Sequence, residues 1–136
     1  MAFVLDASIA LSWCFEDESD AYADRVISLL DREAALVPSV WALEVANVLI
    51  VQERRGRLVS ADVDRFAVLL QGLPISLEET TVPGALGPVT SLARRLGLTS
   101  YDASYLELAI RRGVPLATQD VRLRQAADAA GVSLVE

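Results

Sequence analysis

The sequence predicts an α/β domain built on a mainly parallel central sheet, and two observations carry that expectation. Apolar runs of strand length alternate with longer segments of helical period, and the run that ends at Leu5 is followed at once, and the run that ends at Ala117 within three residues, by an aspartate able to open a helix. Strands joined through helices run parallel, so such junctions share one edge of the sheet.

Taken in order, Ala2 to Leu5 reads as a short buried strand, and Asp6 follows as a candidate N-cap for a helix through Cys14. A second helix, acidic at its start, is expected from Ser19 to Arg32, and Ala35 to Val37 is the next strand. Pro38 and Ser39 open a helix that extends to about Arg55, where Gly56 supplies a stop. Ser60 caps another helix through Leu70, closed by Gly72 and Pro74, and Ile75 to Leu77 is a weak strand. Pro83, Gly84, Gly87 and Pro88 mark a loop and an irregular helix start before a helix over Val89 to Leu96. Thr99 or Ser100 then caps a helix ending near Arg112 and Gly113, and Pro115 to Ala117 is a strand. Asp120 opens a last helix, and Ser133 to Val135 is a final strand.

At 136 residues the chain has the length of one domain, and a single domain over 1–136 is expected. Its hydrophobic content of 53% is above the usual soluble average, and part of that excess hints at an apolar patch covered by a second subunit or a partner. The longest apolar stretch, Ala34 to Val51, contains Pro38, Glu44 and Asn47 and is too interrupted to span a bilayer. The N-terminus has no basic region and meets Asp6 early, so no signal peptide is expected and the protein reads as cytoplasmic. Cys14 is the only cysteine, which leaves it the role of a small core hydrophobe.

The absences are sharper than the averages. The chain has no histidine, and all 12 of its basic side chains are arginines. That removes Ser-His and Cys-His nucleophile pairs, histidine-ligated zinc, P-loops, Schiff bases and Ser-Lys dyads. Any chemistry here falls to carboxylates, hydroxyls, arginines and bound ions. Among the arginines, Arg54, Arg55 and Arg57 cluster at one helix end. A net charge of -7 argues against tight non-specific binding to nucleic acid, so a local basic track is expected rather than a broad basic face.

Four acids, Asp6, Glu44, Asp102 and Asp120, lie in or beside strongly apolar stretches. The three aspartates each have a structural reading as helix-capping carboxylates, and Thr99 to Asp102 resembles a capping box. Glu44 discriminates. It stands mid-helix among Val40, Leu43, Val45, Val48 and Val51, and glutamate is almost never buried without a partner. Asn47 shares its side of the helix one turn on, while Arg55 is too far along the same helix to pair with it. An arginine elsewhere in the fold is the structural alternative. A convergence of four carboxylates repels itself unless a cation intervenes, and an all-oxygen donor set suits Mg²⁺ or Mn²⁺. Ser8 and Thr118, two residues from Asp6 and Asp120, are placed either to orient a water at such an ion or to cap a helix. Phosphodiester hydrolysis is the natural reaction of a site so composed.

With these residues in view, the chain resembles the PIN domain family, and within it the bacterial VapC-type toxin ribonucleases. The likeness covers nearly the whole chain and rests on VLDASIALSW around Asp6, PSVWALEVANVL around Glu44, LTSYDASYLELA around Asp102 and PLATQDVRL around Asp120. The resemblance implies a three-layer α/β/α sandwich and a metal-dependent endoribonuclease acting on single-stranded RNA. Asp6 and Asp102 would be its principal metal ligands, with Glu44 and Asp120 completing the acidic pocket. It further implies a homodimer neutralised by a small VapB-like antitoxin whose tail covers the groove. The absence of lysine departs from many relatives and leaves substrate contacts to arginine.

Two other classes share parts of this pattern. A receiver-like phosphoacceptor domain is also a doubly wound sheet with acids at its carboxyl edge, but its chemistry normally uses a lysine. Acid-dehalogenase phosphatases place a second aspartate where this chain has Ser8. A non-catalytic interaction module with the same fold would be favoured by loss of any of the four acids, and all four are present.

Overall fold

The computed structural model describes residues 1–15 and 20–136. Four strands, β1 (Ala2–Leu5), β2 (Ala34–Pro38), β3 (Ile75–Glu78) and β4 (Leu116–Ala117), form one sheet in the order β3-β2-β1-β4. Every pairing is parallel, as the alternation of apolar runs and helices predicts. Phe3, Val4 and Leu5 in β1 and Ala35, Leu36 and Val37 in β2 are buried, because a parallel sheet is covered on both faces by the helices that connect its strands. Each of the larger side chains so buried contributes about 1.5–3 kcal/mol.

Among the described residues eight α-helices flank the sheet: α1 (Ala7–Cys14), α2 (Ala21–Leu29), α3 (Val40–Arg54), α4 (Ser60–Gln71), α5 (Val82–Gly84), α6 (Thr90–Leu96), α7 (Ser100–Arg112) and α8 (Val121–Ala129). The architecture is the three-layer α/β/α sandwich. Helix α7 packs on β1, β2 and β4 and is buried from Ala103 to Ala109, so it forms the spine of the molecule.

Several boundaries differ from expectation. The expected start of the second helix at Ser19 lies outside the described residues; its described part begins after Asp20, whose side chain accepts from the Tyr22 amide, and ends at Leu29 rather than Arg32. Pro38 belongs to β2, and Ser39 does not cap α3 with its side chain but accepts from the Thr80 amide at 2.8 Å, tying the ends of β2 and β3 together. Ser60 is the first residue of α4 and Val59 is its cap.

The loop expected over Pro83 to Pro88 is wound into helix. Pro83 sits in the first turn of α5, where its missing N–H costs nothing. Pro88 falls inside a π-helical turn, Ala85–Val89, between α5 and α6, and this wider turn absorbs the lost amide bond. The Thr90 hydroxyl donates to the Ala85 carbonyl there at 2.8 Å. The final strand is reduced to a single bridge, Leu116 to Leu134. Among the described residues no helix is long and apolar enough to cross a membrane.

Candidate active site at the carboxyl edge of the sheet

The register of the sheet builds the site. Leu5 pairs with Ala117, so the next residues, Asp6 and Thr118, leave neighbouring strands side by side, and the Asp6 amide donates to the Ala117 carbonyl at 3.0 Å. Asp6 is 7% exposed and stands at the N-cap position of α1, yet its side chain makes no capping bond. Two hydroxyls hold it instead. Ser8 Oγ and Thr118 Oγ1 each donate to Asp6 Oδ2 at 2.7 Å. Thr118 Oγ1 in turn accepts from the Asp120 amide at 3.1 Å, which links the ends of β1 and β4 through one side chain.

The capping alternative divides among the three aspartates. Asp120 is a true N-cap, its Oδ1 accepting from the Leu123 amide at 3.1 Å. Asp102 lies in the first turn of α7, where the Thr99 hydroxyl accepts its backbone amide at 3.1 Å. No reciprocal bond from the Asp102 side chain completes the box. Its carboxylate and that of Asp6 therefore lack the structural purpose that capping would give them.

Glu44 sits in a setting unlike the expected one. Only Trp41, Val45 and Leu49 of α3 are buried, and Ala42, Leu43, Ala46, Asn47 and Ile50 are exposed, so the helix is apolar without being interior. Glu44 is half-buried at the border of the two faces. Its Oε1 accepts from Tyr105 Oη at 2.6 Å. Among the described residues neither Glu44 nor any of the three aspartates forms a salt bridge.

Tyr105 is the residue that sequence reasoning missed. It is fully buried in α7, and its phenol is pushed far above its ordinary value by burial and then by the bond to Glu44. The available signal was its position three residues after Asp102, on the same side of one helix, because a buried tyrosine hydroxyl needs a partner. Asn47, by contrast, is exposed and makes no side-chain bond to the acids.

Burial and repulsion between carboxylates act in the same direction on three of the acids. Burial raises the Asp6 carboxyl above its ordinary value, the bonds from Thr118 and Ser8 oppose this, and Asp120 adds repulsion. Burial also raises Glu44, against the Tyr105 bond and together with repulsion from Asp6 and Asp102. Asp102 is raised by burial, then by Asp120 and Asp6, with Arg122 opposing. An acid whose folded pKa is raised contributes stability that is present below its unfolded value and lost as pH rises through the folded one. From about the ordinary values of 3.8 and 4.5 upward, these groups therefore oppose folding. In chelator, the melting temperature should fall less steeply as pH rises above about 3.8 for Asp6→Asn than for the parent chain. Equal slopes would show that Asp6 carries no such penalty.

Among the described residues no three acidic side chains stand ready to hold a metal ion together. The donor set nonetheless fits a hard divalent cation. It is all oxygen, it is mutually repulsive, it forms no salt bridge among the described residues, and Mg²⁺ takes only one or two carboxylates directly while keeping waters for the others.

Comparison with known proteins shows the family. The PIN domain family model matches residues 3–129. Ribonuclease VapC3 of Pyrobaculum aerophilum is 30% identical over 125 residues, covering 92% of this chain and 94% of the relative. The crystal structure of PAE2754 from Pyrobaculum aerophilum superposes with a TM-score of 0.70 at 28% identity, covering 93% of this chain and 79% of that one. A toxin-antitoxin complex from Klebsiella pneumoniae shares the fold, with a TM-score of 0.62 at 13% identity over 87% of this chain and 86% of that one. By the extent of these matches, the chain belongs to the PIN domain family, and its relatives there are of the VapC type.

Proposed function

We propose that this protein is a Mg²⁺- or Mn²⁺-dependent endoribonuclease, the toxin of a type II toxin-antitoxin pair acting in the cytoplasm. What supports the reading is the repulsion that links Asp6, Glu44, Asp102 and Asp120 pairwise across four separate segments, with no salt bridge to any of them among the described residues. Kinship with a ribonuclease over most of the chain supports it.

In this reading Asp6 and Asp102 hold the ion, and Glu44 and Asp120 complete the pocket. When bound, the ion supplies charge neutralisation at the phosphoryl oxygens and lowers the pKa of a water. Ser8 and Thr118 fix the rotamer of Asp6, so the ligand is aimed before any ion or RNA arrives. Tyr105 does the same for Glu44 while favouring its ionised form, which suits a group that orients or deprotonates the attacking water. Asp120, the most exposed of the four, is free at its second oxygen to do so from the other side.

The partners follow from the same reading: single-stranded RNA as substrate, a small VapB-like antitoxin as inhibitor, and a second copy of the chain. Exposed apolar side chains support the two protein partners, with Leu43 74%, Val82 72% and Leu86 75% exposed.

Purified protein incubated with total RNA should cut it with Mg²⁺ or Mn²⁺ and not with chelator, and end mapping would identify the cut. Growth arrest on expression, relieved by co-expressing the neighbouring small open reading frame, would identify a toxin. Intact RNA under every metal condition would overturn the reading. Mg²⁺ should also stabilise the fold: at ten times its dissociation constant the gain is about 1.4 kcal/mol, or about 4 °C for a chain of this size. A melting temperature that ignores millimolar Mg²⁺ would count against a preformed site.

A further inference from the structure

Beside the acids lies a groove of about 790 Å³ lined by Ser8, Leu11, Ser12, Phe15, Val48, Gln52, Arg57 and Gln119. Its walls are continuous with the site, because Ser8 donates to Asp6 and Gln119 lies between Thr118 and Asp120. Among the described residues its lining contains no carboxylate and one cation, Arg57. The chain as a whole carries a net charge of -7, so a cation in the groove beside Asp6 is set against an acidic background.

Arg57 is placed there by the end of α3. Gly56 takes a left-handed conformation with φ of 75°, and its amide donates to the Glu53 carbonyl at 3.0 Å. The Arg57 amide then folds back to the Gln52 carbonyl at 2.9 Å, the closure of a helix that ends in a glycine turn. The guanidinium follows its backbone and donates to Gln52 Oε1 at 3.4 Å. Among the described residues this is its one side-chain hydrogen bond. Other arginines near the site are already engaged: Arg122 donates to the Gly97 carbonyl, and Arg124 donates to the Thr118 carbonyl while covering the Tyr22 ring.

Phe15 lines the same groove. Its ring is tilted by 56° against Phe66 with centroids 6.2 Å apart, and the side chain is only partly buried. A guanidinium and an aromatic face in one groove are the two groups that hold single-stranded nucleic acid without reading its sequence, by phosphate contact and base stacking.

We propose that Arg57 and Phe15 form a subsite for a nucleotide flanking the scissile phosphate, with Arg57 holding its phosphate and Phe15 stacking its base. The inference rests on the ribonuclease reading and names where the substrate is gripped. It accounts for how so acidic a protein engages a polyanion: the groove delivers one local cation instead of a basic face. Both residues are positioning groups, apart from the acids that would carry the chemistry.

The test is binding of a fluorescein-labelled single-stranded octaribonucleotide, read by anisotropy across a salt titration in Mg²⁺, with each variant made in an Asp6→Asn background. Arg57→Gln should weaken binding about three- to tenfold and flatten the plot of log Kd against log salt by about 0.7, the loss of one phosphate contact on a single strand. Arg57→Lys should restore the slope. Phe15→Leu should weaken binding with the slope unchanged. Arg32→Gln, at the amino edge of the sheet beyond α2, should change neither. In the otherwise native chain, Arg57→Gln should raise KM and leave kcat within about twofold, with the same melting temperature, since its one side-chain bond is exposed.

Unchanged affinity and slope in Arg57→Gln would overturn the subsite while leaving a cleaving native protein as a ribonuclease. Arg57-dependent binding by a protein that never cuts RNA would support the subsite and remove the ribonuclease reading. No binding by the background protein and no cleavage by the native one would overturn both.

Discussion

Asp6→Asn should abolish RNA cleavage, by about a thousandfold or more, and leave the metal-free protein as stable as the parent or more so. Asparagine is nearly isosteric with aspartate and keeps an oxygen able to accept from Ser8 and Thr118, whose hydroxyls now meet at Asp6 Oδ2. What it removes is the charge, which burial and Asp120 both disfavour. A site that gathers like charges lowers the stability of the empty fold, and relieving one of them recovers part of the loss. The check is a pair of measurements on one variant: cleavage of RNA in Mg²⁺, and thermal melts in chelator. Activity lost together with a melting temperature well below the parent's would make Asp6 a structural residue. Activity retained would remove it from the chemistry.

The second large effect is expected at Tyr105, where two substitutions separate packing from positioning. Tyr105→Ala deletes a fully buried aromatic ring from the helix that spans the sheet and should cost about 3–5 kcal/mol. Tyr105→Phe keeps the ring and removes only the donor to Glu44. Its stability should stay within about 1 kcal/mol of the parent, because the lost bond is offset by a phenol that no longer needs burying. Cleavage should nonetheless fall about tenfold, since Glu44 loses the group that fixes its orientation. The sign of the accompanying pH change is determined. The Tyr105 bond lowers the Glu44 pKa, so its loss raises that pKa further and moves the acid limb of the rate profile to higher pH. A Tyr105→Phe enzyme with native rate and native profile would reduce the 2.6 Å bond to a bystander.

Much of this architecture is local, and local features are legible in a sequence. Ala2 to Leu5, Ala35 to Val37 and Ile75 to Leu77 are strands because short apolar runs bounded by turn formers have no better use than a buried sheet. Asp120 is a helix cap because a carboxylate two or three residues before free amides satisfies them directly. The segment over Pro83 to Pro88 escaped because proline and glycine signal interruption, and a π-helical turn is one of the few ways a helix carries a proline without breaking. The setting of Glu44 escaped for a different reason. Apolar neighbours in a sequence imply cover, but the cover for Leu43 and Ile50 is not supplied within this chain's described residues.

The sequence by itself determined the chemistry: oxygen donors and arginines, with no histidine or lysine to offer an alternative, and four acids at positions that matched one family. Residue types and their order decide which reactions are available, and these survive any folding. Only the tertiary structure decided the contacts within the set. Register put Thr118 beside Asp6, a crossing helix brought Tyr105 to Glu44, and a glycine turn folded Arg57 into the groove beside them. These contacts join residues 112 and 61 positions apart, or depend on a backbone angle, and hydrogen bonds of 2.6 to 2.7 Å leave no trace in local periodicity.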